Sequence, residues 1–199
     1  MAPYELILAS GSSARRKLLE AAGVAFRVAP ADVDEHALRN EIGQQAAPQR
    51  VALTLARAKA EEASRRVPAA LVIGADQVLA LDGAIYTKPA DIAAARAQLR
   101  SLAGRTHELS SAVSLARKGH EVWSHIETAK LTMRDVSDAF LDDYLAAAGD
   151  RVCACVGAYE LEGLGIQLFE QIDGDYFTIL GLPLLPVLAE LRRRDQLAT

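Results

Sequence analysis

Aromatic residues are scarce in this chain: Phe, Trp and Tyr make up only 5% of its 199 residues. A core must therefore be filled by Leu, Ile and Val, while 38 alanines favour helix and add little volume. Cysteine is nearly missing. Cys153 and Cys155 are the only two; two apart on an expected strand they point to opposite faces, which argues against a disulfide, and they are too few for a structural zinc site. No run approaches the ~20 apolar residues of a membrane helix, and the uncharged stretch 176–189 is interrupted by Gly181, Pro183 and Pro186. The opening MAPYELILAS carries Glu5 and no basic cluster, which argues against a secretory leader. Charge excess is also missing: a net charge of −4 and a pI near 5.6 exclude broad attraction to nucleic acid or anionic lipid. No internal repeat or low-complexity linker divides the chain. These absences leave a single domain over residues 1–199, cytoplasmic and reduced, with neither nucleic acid nor membrane as partner.

What is present alternates between strand and helix signals. YELILA reads as a strand, and Ser12 or Ser13 caps a helix that stops near Gly23. VAFRVAP reads as a second strand, and the acidic stretch from Asp32 to Ala47 as a loop. Pro48 opens a strong helix running to Arg66. ALVIGADQVLAL is an apolar run broken in its middle, followed by a hairpin turn at Asp82-Gly83. Asp91 caps a helix through Leu102, two strands turn at Lys118-Gly119, and Ser137 caps a helix to about Ala148. Residues 152–180 read as β-rich with a turn at Asp173-Gly174, and a final helix follows Pro183. The expected class is α/β, with a mixed twisted sheet and flanking helices.

Three features are poorly explained by folding alone. SGSSARR sits where a strand meets a helix, a junction whose free backbone N–H groups, serines and arginines suit an anion; an ordinary cap with solvated arginines is the plainer reading. Lys59 is the second. Projected at ~100° per residue, it falls inside the arc of Val51, Ala52, Leu55 and Ala56, while Arg50, Arg57, Glu61 and Arg65 lie outside. It must snorkel, pair with a carboxylate or face an opening. Third, Asp76 interrupts ALVIGADQVLAL and needs a partner, a metal or an opening, unless it is a turn residue between two short strands. Gly74 beside it would let a ligand approach the backbone. Lys88 returns a cation twelve residues later. The glycines at 163–165 lack a dinucleotide-site context, and His36, His107, His120 and His125 show no metal-ligand spacing.

In order, LILASGSSARRKLL, APADVDE, RVALTLARAKA, VIGADQVLALDG, YTKPAD and VGAYELEGLGIQLFEQIDGDYFTILGLPLL form a series that resembles the Maf family of nucleoside triphosphate pyrophosphatases along nearly the whole chain. The resemblance implies a fold similar to the inosine triphosphate pyrophosphatases, with two lobes around a deep cleft. It also implies hydrolysis between the α- and β-phosphates with Mg²⁺ or Mn²⁺, and a homodimer. By position it makes Asp76 the catalytic carboxylate, with Glu35, Lys59 and Lys88 beside it and Ser12 and Arg15 on the phosphates. Asp76 and Glu35 would hold the metal, and one of them would activate water. Two positions depart from the family: Ser13 stands where proline is usual, and Ala14 stands where one branch has arginine (dTTP and UTP) and another tryptophan (7-methyl-GTP). Gln77, Glu162 and the GLGI that follows are similar to the 7-methyl-GTP branch, whereas GRTHELSSAVSL is closer to the other. Ala14, Gln77 and Glu162 are therefore expected to choose the base, with a lean toward a modified or purine base. Two rival readings are a phosphatase taking only the terminal phosphate, and a nucleotide-regulated binding protein acting in septum formation.

Overall fold

The computed structural model describes residues 4–43 and 45–198. In chain order the elements are β1 (Leu6–Leu8), α1 (Ser13–Ala21), β2 (Arg27–Val28), α2 (Glu35–Ile42), α3 (Pro48–Arg66), β3 (Leu71–Leu81), β4 (Ala84–Tyr86) and α4 (Ile92–Leu102). There follow β5 (Thr106–Arg117), β6 (His120–Met133), α5 (Asp138–Ala148), 3-10 turns at Gly149–Ala154 and Leu164–Leu168, β7 (Phe169–Asp173), α6 (Tyr176–Ile179) and α7 (Leu184–Arg193). The strands form one mixed seven-stranded sheet in the order β2-β1-β3-β5-β6-β7, with β4 paired to β3. β1 runs parallel to β2 and β3; β4 on β3 and β7 on β6 are antiparallel.

The local chemistry behind these elements is ordinary. Five helices begin on a side-chain cap: Ser12, Asp34, Asp91, Ser137 and Asp175 each accept the backbone N–H three residues on. The hairpin turns at Asp82-Gly83 and Lys118-Gly119 have positive φ at both residues (50° and 81°, 53° and 82°), the geometry that matches strand twist in two-residue loops.

The chain divides into two compact units, one formed by Met1–Gln77, Ser110–Glu127 and Asp175–Thr199, the other by Val78–Leu109 and Thr128–Gly174. The cuts fall inside the long strands β3, β5 and β6. In the first unit, strand alternation sorts the core into two faces. Leu6 and Leu8 of β1 and Leu71, Ile73 and Ala75 of β3 pack with Leu18 and Leu19 of α1 and with Leu184, Val187 and Leu191 of α7. Ile7 and Val72 point the other way, to Ala63 of α3. In the second unit, α4 is tied to α5 by Arg96, whose guanidinium reaches Asp142 at 2.7 Å and Asp138 at 3.3 Å. His107, Tyr159 and Phe169 form its ring cluster, with centroids 4.8–5.8 Å apart.

Four local expectations need correction. The 32–47 stretch is not all loop: Asp34 caps α2, because its carboxylate satisfies the N–H of Ala37. β3 is unbroken across Asp76, all eleven residues holding strand geometry, so Asp76 is no turn residue. Residues 152–168 are not strand: 3-10 turns span Gly149–Ala154 and Leu164–Leu168 with turns and coil between them, which places Cys153 in the first and Cys155 at its end. Asp173-Gly174 makes no hairpin: β7 ends there and Asp175 starts a helix.

Candidate active site

Alternation along β3 decides what each side chain meets. Residues 72, 74 and 76 face α3, and residues 71, 73, 75 and 77 face the opposite layer. Gly74 is where the two elements come closest. A Cβ there would sit 2.3 Å from the Ala56 carbonyl oxygen and 2.5 Å from the Ala60 nitrogen. The missing side chain thus admits the backbone of α3, not a ligand, and this corrects the expected role of Gly74.

That close approach lowers Lys59, the neighbour of Ala60, onto the strand. Its Nζ lies 2.6 Å from Asp76 Oδ1 and 2.7 Å from Glu35 Oε1, so one ammonium bridges two carboxylates. The side chains of Asp76 and Lys59 are 8% and 13% exposed, while Glu35 is 44% exposed at the start of α2. Of the three fates open to Lys59, pairing is the one realised. Asp76 Oδ2 is buried and has no hydrogen-bond partner among the described residues. A buried bare carboxylate oxygen is costly, and it is the natural place for a ligand to engage.

Arg15 reaches the same locus from α1. Its Nε donates to the Gly181 carbonyl at 2.8 Å, and its Nη1 to Ser10 Oγ at 3.1 Å and the Ala75 carbonyl at 3.0 Å. Burial pulls its pKa below the ordinary value, against the opposing pull of the Asp76 and Glu35 carboxylates. Only Nη2 takes no part in these three bonds, so Arg15 is as much a strut as an anion donor. Ser12 is the cap of α1, its Oγ accepting from Arg15 N at 3.4 Å, and Ala14 is half-buried in the helix's first turn.

Gln77 faces the other layer. Its Nε2 donates to Ile179 O at 2.9 Å, Ser111 Oγ at 3.0 Å and Thr178 O at 3.2 Å. Two of those partners are carbonyls, which only accept, so the NH₂ end is fixed and Oε1 is the end left to a ligand.

Lys88 and Glu162 belong to the second unit. Both are exposed, Lys88 in the coil after β4 and Glu162 ahead of the second 3-10 turn. Their fields meet at Cys155, whose thiol is pushed up to about 11 by burial, then by Glu160 and Glu162, with Lys88 opposing.

The first unit therefore gathers Glu35, Lys59, Asp76 and Arg15 about one point, with Gln77 next along the strand. Ser10 lies within the SGSSARR junction, whereas Ser111 and Thr178 are not among the residues that the sequence singles out. The signal that exposed Asp76 was available for Ser111 too: a polar residue inside the apolar run of β5, buried completely. Asp76 and Glu35 are the oxygen donors that a hard cation would use. Among the described residues no three His, Cys, Asp or Glu side chains converge as a metal cage. Two carboxylates suit a Mg²⁺-like ion that takes its remaining ligands from phosphate and water.

Comparison with known proteins gives the family. The sequence model of the family described as Maf-like protein matches residues 5–194. A 7-methyl-GTP pyrophosphatase of Brucella abortus biovar 1 is 52% identical over 190 residues, covering 95% of this chain and 96% of its own. A nucleoside triphosphate pyrophosphatase of Paramagnetospirillum magneticum is 54% identical over 192 residues, covering 96% and 99%. Another protein of that name, from Bradyrhizobium diazoefficiens, is 53% identical over 193 residues, covering 97% and 95%.

Proposed function

The chain belongs to the Maf family, and from that premise we propose that it is a nucleoside triphosphate pyrophosphatase, releasing a nucleoside monophosphate and pyrophosphate. The observation that carries the reading is Asp76: a buried carboxylate in mid-strand, held by Lys59 through one oxygen and bare at the other.

The chemistry asks for charge neutralisation, an oriented water and little covalent work. Lys59 supplies a cation next to two carboxylates, and Arg15 Nη2 and the N-terminus of α1, capped by Ser12, supply donors for phosphate oxygens. Lys88 is the further cation that the family resemblance implies for the phosphates. Asp76 Oδ2 accepts the proton of the attacking water, a role worth ~10²–10⁴-fold in rate. Lys59 on Oδ1 keeps the carboxylate oriented while that proton moves. Asp76 and Glu35 would hold a Mg²⁺ or Mn²⁺ ion, which when bound supplies Lewis-acid charge neutralisation to the phosphates. The base falls to Ala14, Gln77 and Glu162. With Oε1 of Gln77 and the carboxylate of Glu162 both acceptors, the reading favours a base with an N–H edge, such as a guanine or its 7-methyl derivative.

The test is product identity. Purified protein is incubated with a panel of common and modified nucleotides and Mg²⁺ or Mn²⁺, and the products are resolved. Pyrophosphate with a monophosphate is expected. Orthophosphate alone would mean a terminal phosphatase, and no turnover with retained nucleotide binding would restore the division-linked binding protein. No helix among the described residues is long and apolar enough to cross a membrane.

A further inference from the structure

α6 has only four residues, too few to hold itself, since a single helical turn does not repay its own nucleation. Yet the segment from Asp175 to Gly181 aims three carbonyls inward. Gly181 O takes Arg15 Nε, Thr178 O and Ile179 O take the Gln77 amide, and Thr178 O also accepts from Ser111 Oγ at 2.6 Å. The segment must therefore be pinned from elsewhere, and the pin is Thr178, which is fully buried. Its N–H donates to Asp175 Oδ2 at 2.9 Å, and its hydroxyl donates to Glu127 Oε2 at 2.7 Å, with Asp175 Oδ2 a weaker second acceptor at 3.2 Å.

Glu127 is anchored in turn. Its Oε1 lies 3.0 Å from His125 Nε2, and the His125 ring stacks on Trp123 with planes 4° apart. Trp123, His125 and Glu127 share one face of β6 by alternation, so a row along a strand reaches α6 through a single hydroxyl. Arg15 has independent anchors in Ser10 and Ala75, but the Gln77 amide leans on Ser111, Thr178 and Ile179, and Ser111 itself leans on Thr178 O. Loosening Thr178 therefore frees Gln77 first.

We propose that Thr178 and Glu127 are positioning residues, whose hydrogen bond holds α6 in place and so fixes the Gln77 amide with its carbonyl oxygen toward the substrate. The inference rests on the pyrophosphatase reading, in which Gln77 meets the base.

Steady-state kinetics on the nucleotide that the wild type hydrolyses best, across Thr178→Val, Thr178→Ser, Gln77→Ala, the Thr178→Val/Gln77→Ala double variant and Glu127→Ala, provide the test. Thr178→Val keeps the shape and removes the hydroxyl. Its expected effect is a KM raised about tenfold with kcat within about threefold, the loss of one oriented hydrogen-bonding group in binding. Thr178→Ser restores the hydroxyl and should restore KM. In the Gln77→Ala background, Thr178→Val should add nothing, because the residue it acts through has gone. A merely structural threonine would give additive losses, and additivity overturns the proposal. So does a Thr178→Val protein with wild-type KM. Should Thr178→Val fail to fold, Glu127→Ala carries the same test from a part-exposed site that leaves the Asp175 cap intact; a wild-type KM there is equally fatal. A wild type that releases pyrophosphate from no nucleotide would overturn the underlying functional reading instead, a result separable from any ratio among variants.

Discussion

Replacing Lys59 by methionine tests the centre of the site through stability as well as rate. The ammonium lies 2.6 Å from Asp76 and 2.7 Å from Glu35. Methionine keeps the stem length and helix propensity but leaves two carboxylates facing each other, one of them nearly buried with Oδ2 already bare. Breaking one side of a buried ion pair costs ~3–5 kcal/mol. Glu35 is half exposed and can turn to water, so the lower end applies, about 3 kcal/mol. For a chain of this size that is a fall of roughly 6–12 °C in Tm.

The second arm is Asp76→Asn. Lys59 keeps Glu35 as a partner, so the cost should be only ~1–2 kcal/mol, that of one weakened hydrogen bond. In the double variant neither charge remains, and the loss should be smaller than the sum of the singles by about 2 kcal/mol. Urea unfolding of all four proteins in metal-free buffer measures the cycle, and pyrophosphate release in Mg²⁺ measures activity. Each variant should lose turnover, Asp76→Asn by at least ~10²-fold. A Lys59→Met protein as stable as wild type, or strictly additive losses, would refute the account of Lys59 as the bridge between the two carboxylates.

How much of this was legible in the sequence follows from range. Caps at Asp91 and Ser137 and the turns at Asp82-Gly83 and Lys118-Gly119 are decided within four residues, and the sequence alone places them, while for α1 it leaves Ser12 or Ser13 and the structure selects Ser12. Asp76 and Lys59 stood out because each breaks an apolar pattern, and a broken pattern is visible without knowing the partner. That they are each other's partner was not visible; it depends on how α3 folds back onto Gly74 of the next element, β3, a packing that no local pattern states. Residues 152–168 read as strand for the converse reason. Their Val, Cys and Tyr content has strand propensity, but they enter no strand pairing and form two 3-10 turns with irregular backbone between them. The α6 clamp was hidden because its chemistry is mostly backbone carbonyls, which every sequence has.

The same reasoning extends to three other sites. Gly74→Ala forces a methyl against the α3 backbone at 2.3 Å, so it should cost about 1–3 kcal/mol or more and also cut turnover by displacing Lys59; calorimetry with an activity assay checks both, and undiminished activity would dissociate the packing from the site. His107 is buried among Tyr159 and Phe169, its Nδ1 has no partner among the described residues, and burial lowers its pKa to about 4. A histidine whose folded value lies below its unfolded ~6.5 contributes stability that is full above pH ~6.5 and lost as pH falls toward 4, roughly 3 kcal/mol in all; urea midpoints across that window should flatten in His107→Phe, and an unchanged slope would exclude His107 as the cause. Ala14→Trp and Glu162→Gln test base choice. An indole in the first turn of α1 offers an electron-rich face to the cationic ring of 7-methylguanine, worth ~1 kcal/mol or about fivefold in kcat/KM, with no such gain for uncharged bases. Glu162→Gln removes an acceptor suited to the guanine N–H edge, so guanine nucleotides should lose more than UTP or dTTP, which leave that carboxylate poorly matched in the wild type. If either substitution moves every nucleotide by the same factor, the residue does not read the base.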